Sequence, residues 1–174
     1  NGVLTRNETV VELLGDDAVV HVAGACVGDG DFHHDDTVFI THEGENCESR
    51  QVFKKVLRNG ATGVFQGKIL VKSTAQQTDG YQISQALMLD EDSQFLAKPE
   101  LEIYADDVAC SHGSTSGAID EEALFYLQSR GVPNKDATNL LTLAFLAESV
   151  DEIANQDIVN TIVSRLDNWL IRRL

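Results

Sequence analysis

Through residues 1–117 apolar and polar positions alternate in short runs, the period-two pattern of strands with two unlike faces. Residues 9–14, 18–27, 37–41, 61–71 and 82–89 each read as a strand. Turn-forming clusters such as Gly15-Asp16-Asp17 and residues 28–31 separate them. Further on, Leu101, Ile103 and Ala105 alternate with Glu102, Tyr104 and Asp106. After Asp107, Val108, Cys110 and His112 share one face, while Ala109 and Ser111 take the other. The two prolines, Pro99 and Pro133, break none of these runs. The series predicts a sandwich, a barrel or a β-solenoid, with runs too uneven for a strict short repeat. Residues 49–59 stay open between a strand and an amphipathic helix that places Val52, Val56 and Leu57 on one side and ends at Gly60.

After Gly117 the period changes. Asp120 is an N-cap candidate, Glu121 and Glu122 fill a first turn, and Arg130 with Gly131 close a helix carrying Leu124, Phe125 and Leu127. A second helix follows Pro133 and Asn134, with Ala137, Leu140, Leu141, Ala144, Phe145 and Glu148 expected on its buried face. A third, over residues 156–173, repeats the pattern through Ile158, Ile162, Leu166, Trp169 and Leu170. The predicted organisation is a β domain at 1–117 and a small helical domain at 118–174. The helices either dock a partner or cap the β-body.

Composition narrows the partners. The chain has 174 residues, with 28 acidic and 13 basic side chains and a formal charge of -15. That charge argues against nucleic acid or an anionic membrane surface, both of which require a cationic face. The start at Asn1, already close to strand-like text, reads as a piece of a longer protein whose fold begins upstream. Cys26, Cys47 and Cys110 are odd in number and widely spaced, which fits a reducing compartment rather than a disulfide framework. With no apolar run of membrane-spanning length, the expected location is the cytoplasm.

Candidate chemistry is sparse. No phosphate-binding glycine loop, nucleophile elbow or HExxH helix occurs. Ser111 and His112, as neighbours on a strand, point to opposite faces and cannot act as nucleophile and base. His33-His34-Asp35-Asp36 reads as a polar turn rather than a metal tract. His42 and Cys47 could meet across a hairpin without chemical purpose. His21 reads as a hydrogen-bonded core or face histidine, and Cys26 as a small buried hydrophobe. The one pair with geometry behind it is Cys110 and His112, whose thiol and imidazole reach the same small volume, a combination that soft and borderline metals favour. A structural His112 remains the alternative.

Several collinear blocks resemble the SufB/SufD family, its SufD branch in particular. They are residues 98–113, running on through Ser114-Thr115 to residues 120–131, together with residues 63–71, 75–78 and 47–50 and the initial Asn1-Gly2. The resemblance implies a right-handed parallel β-helix followed by C-terminal helices, which makes residues 52–57 a strand. It also implies a non-enzymatic scaffold for iron–sulfur cluster assembly in a SufBCD-type complex. There the β-helix would pair with a SufB-like paralogue, and the helical tail would dock a SufC-like ABC ATPase. The family's histidine at the SufB junction maps onto His112, as a cluster or iron ligand; Cys110 falls in the same block with a weaker claim. One His and one Cys are too few to hold a cluster stably, so the isolated chain is expected to bind neither cluster nor metal and to carry a cluster transiently in the complex. An exposed β-helix edge is compatible with a homodimer when the paralogue is missing.

Overall fold

The computed structural model describes residues 3–173; the family-like Asn1-Gly2 pair lies outside the described residues. Eight strands alternate between two four-stranded parallel sheets. β1 (Leu4–Leu13), β3 (His33–His42), β5 (Thr62–Val71) and β7 (Gln94–Ile103) form one sheet, in that order. β2 (Val19–Asp29), β4 (Glu48–Arg58), β6 (Thr78–Met88) and β8 (Val108–Gly117) form the other. The chain therefore winds as a parallel β-solenoid of about four turns, as the family resemblance implied. Successive turns stack in strict register: Leu4 beside His33, His33 beside Thr62, Thr62 beside Gln94.

Period-two alternation sends every second residue into the lumen between the sheets. Ser49, Gln51, Phe53, Lys55 and Leu57 of β4 are all buried there, and the Phe53 ring packs against Phe65 with centroids 4.8 Å apart. The open segment at 49–59 is thus a strand, since burial on both sheet faces makes its apolar positions look helical. One corner of the coil turns through Asp17, Asn46 and Gln77, all at positive φ. The turns lock to one another, Asn46 Nδ2 donating to Asp17 Oδ1 at 2.6 Å. Asn and Asp tolerate this left-handed region better than most residues.

One sequence expectation changes here. Residues 33–36 are no turn; they begin β3. Their polarity misled because His34 and Asp36 point inward to polar partners rather than outward to water. Pro99 sits inside β7, tolerated because that strand is the edge of its sheet.

The helices are α1 (Glu121–Ser129), α2 (Asn134–Ala147), a 3₁₀ turn at Glu148–Val150, and α3 (Gln156–Arg173). Asp120 caps α1 as expected, its Oδ1 accepting from the backbone N–H groups of Glu122 and Ala123, and Gly131 exits at φ +87°. Leu146 is fully buried and packs with Val56 and Leu87, residues on the outer face of the β2–β8 sheet. Lys54, also on that outer face, lies under Phe145 with Nζ 4.5 Å from the ring centroid and pairs with Glu148. The expected buried stripe of α2 is corrected in part: Thr142 and Leu146 go inside, while Leu140 is 51 % exposed and Ala144 and Glu148 are exposed. Apolar residues surround much of α2, so its periodicity could not choose the face that meets the sheet.

Candidate functional site

β8 is the last strand of its sheet, and its lumen-side positions lie in register with buried residues of β6. Cys110 stands beside Gly80, His112 beside Gln82, and Ser114 beside Ser84. The direction of these side chains is fixed by two neighbours. A Cβ built on Gly80 would lie 3.1 Å from Cys110 Sγ, and Ser84 Oγ bonds Ser114 Oγ at 3.2 Å. His112 lies between them on the same face. It is exposed because, among the described residues, no further strand of this sheet covers it. Cys110 is half-buried and packs against the buried cluster of Ile69, Val71, Ala75 and Ala105. Burial pushes its thiol pKa up, against the pull of the Gly80 backbone hydrogen bond and with a further push from the Asp79 charge. The sequence thus placed Cys110 and His112 correctly on one strand face, and the tertiary structure brings that face to the rim of the lumen.

The other candidates disperse. His42 and Cys47 form no hairpin, because β3 and β4 belong to different sheets. His42 faces the lumen, fully buried, with Nε2 2.8 Å from Ser49 Oγ. Burial pushes its pKa down from 6.5 to about 4. Cys47 Sγ donates to the Gly15 carbonyl at 3.2 Å. His21 is a face histidine, 3.6 Å from both Glu48 and Glu152. Cys26 is buried as expected, and burial raises its thiol to about 12 despite the nearby Lys55 charge. Among the described residues, no three His, Cys, Asp or Glu side chains converge as a metal site.

One cluster escaped the sequence reading. Lys55 Nζ lies 2.5 Å from Asp36 Oδ2 and 2.8 Å from His34 Nδ1, and Asn7 Nδ2 donates to Asp36 Oδ1 at 2.9 Å. Burial alone would raise the Asp36 carboxyl pKa, but the His34 hydrogen bond, the Lys55 charge and hydrogen bond, and the Asn7 hydrogen bond hold it well below the usual carboxylate range. The available signal was two polar residues at alternate positions, His34 and Asp36, continuing the phase of Val38 and Ile40.

Across the length of the solenoid, the family model of the SUF system FeS cluster assembly, SufBD core domain, matches residues 1–145. The chain belongs to the SufBD family. It is 33% identical over 169 residues to the Escherichia coli (strain K12) iron-sulfur cluster assembly protein SufD, covering 97% of this chain and 40% of that protein. The Bacillus subtilis (strain 168) SufD is 31% identical over 163 residues, 94% of this chain and 37% of the relative. The Arabidopsis thaliana chloroplastic protein ABCI7 is 31% identical over 160 residues, 90% of this chain and 33% of the relative. This SufBD-family chain therefore spans less than half the length of these relatives.

Its helical end presents a second surface. α1 contains no buried residue, and Phe125 is 71 % exposed beside an exposed Tyr126. No helix among the described residues is long and apolar enough to cross a membrane.

Proposed function

We propose that this chain is a SufD-type scaffold element for iron–sulfur cluster assembly, acting by positioning rather than by catalysis. The observation that carries the reading is the pairing of Cys110 and His112 on the lumen-side face of the last strand, at the rim of the solenoid. The nascent cluster is cargo, and these residues fit it in part. Imidazole and thiolate suit iron, but two donors do not complete a coordination shell. A SufB-like paralogue docked on the free edges of β7 and β8 supplies the remaining ligands, with unpaired backbone groups there available to a partner strand. His112 is the principal ligand and Cys110, with its raised thiol pKa and apolar packing, the weaker one.

The helical end docks the SufC-like ATPase. The exposed Phe125 and Tyr126 support that role, since aromatic side chains left open on a helix are characteristic interface anchors. When the paralogue is absent, the same β edges pair two copies of the chain.

The deciding experiment compares His112→Ala with the unaltered protein in a reconstituted complex with its cognate paralogue and ATPase. Loss of cluster formation with assembly of the complex intact supports the ligand role. Unchanged cluster formation overturns it and leaves a plain interaction module.

A further inference from the structure

Gln51 on β4 is in register with Gln82 on β6, and Gln82 with His112 on β8. Neighbouring strands lie about 4.8 Å apart, so the three side chains form one lumen-side row whose outer end is the exposed His112. Both glutamines are fully buried. Neither amide atom of Gln51 has a hydrogen-bond partner among the described residues, and the same holds for Gln82 Oε1. Gln82 Nε2 reaches the Gly67 carbonyl only at 3.5 Å, at the limit of a hydrogen bond. The adjoining row behaves differently, with Ser84 and Ser114 bonded directly.

Buried polar atoms in folded proteins are almost always paired. Three orphaned atoms on two stacked side chains therefore point to a small ligand that both donates and accepts. Gln51 Nε2 offers a donor, and Gln51 Oε1 and Gln82 Oε1 offer acceptors. Water suits this set, since an internal water takes two to four polar partners. We infer that ordered water bridges Gln51 and Gln82 inside the solenoid and continues to the lumen side of His112, where it accepts the ring N–H.

A metal-facing histidine is oriented through the hydrogen bond of its other ring nitrogen. Gln82 is thus a positioning residue for His112, holding one imidazole tautomer with the remaining nitrogen turned outward. This last step rests on the ligand role proposed above; the hydration of the row does not.

The test is water–proton NMR on the full chain labelled at glutamine and histidine side chains, so no cluster or partner is needed. The expected result is direct, long-lived water contacts at the Gln51 and Gln82 amides and one dominant His112 tautomer. Gln82→Leu should abolish the contact at position 82 and change the tautomer ratio roughly two- to ten-fold, the worth of one hydrogen bond. Gln82→Met, closer in shape, provides the same reading should the leucine variant fail to fold. Glutamine amides without water contacts, as in a direct Gln51–Gln82 amide ladder, overturn the proposal. So does an unchanged His112 tautomer in a folded Gln82 variant. Either failure is separable from failure of the cluster role, which His112→Ala decides independently.

Discussion

Lys55 and Asp36 face one another across the lumen, Nζ 2.5 Å from Oδ2, with side chains only 1% and 9% exposed. Two charges so enclosed are stable only together. Removing one partner by Lys55→Ala or Asp36→Ala should cost about 3–5 kcal/mol, while Lys55→Met with Asp36→Leu should be close to neutral or stabilising. Urea unfolding at neutral pH measures both. A loss well under 1 kcal/mol for either single change would contradict burial of the pair. Because the Asp36 carboxyl pKa is depressed on folding, its contribution is present above the unfolded value, near 4, and is lost as pH falls below it.

His42 acts in a different pH window. Burial lowers its pKa from 6.5 to about 4, so between those values the unfolded chain binds a proton that the folded chain excludes. Stability should therefore rise with pH across this interval and fall as pH drops through it, by roughly 2–3 kcal/mol. Replacing His42 with Asn should flatten that part of the curve and leave the Asp36 part below it. An unaltered slope in the variant would assign the dependence to another group.

Leu146 joins the helices to the solenoid through Val56 and Leu87. Leu146→Ala should destabilise by about 2–5 kcal/mol, since a fully buried leucine leaves a cavity at a sheet–helix junction. Calorimetric melting tests this, and a melting temperature equal to that of the unaltered chain would exclude the packing role. Hydrogen exchange in α2 and α3 should rise in the same variant before exchange in β4 or β6 does.

Gly67 is held by space rather than by backbone conformation. A Cβ there would stand 2.5 Å from Gln82 Oε1 and 2.7 Å from Phe65 Cζ. Gly67→Ala should cost on the order of 1–3 kcal/mol through forced repacking of the lumen. Gly117→Ala, with nothing within 4 Å of the added carbon, is the control expected to be near neutral.

Phe125 and Tyr126 make the opposite prediction. Both are exposed on α1, so Phe125→Ala with Tyr126→Ala should leave melting within error. In a calorimetric titration with the cognate ATPase, the same pair of changes should weaken binding at least ten-fold if they anchor the interface. Wild-type affinity in the double variant would contradict the docking role proposed for α1.

What residues 1–174 determined by themselves is local. Alternation marked most of the strands, because neighbours on a strand face opposite ways whatever lies beyond them. Asp120 and Gly131 bounded α1, because a helix end needs a side-chain acceptor and a left-handed exit within a few residues. Cys110 and His112 shared a face for the same reason. Tertiary structure decided the rest. Whether His34 and Asp36 were turn or strand depended on Lys55, which the winding of the solenoid brings to them from the opposite sheet. Which side of α2 was buried depended on Val56 and Leu87, and the exposure of His112 on β8 being last in its sheet. Those outcomes are energies of contact between distant segments, and a pattern read along the chain carries periodicity but not the identity of the opposing surface.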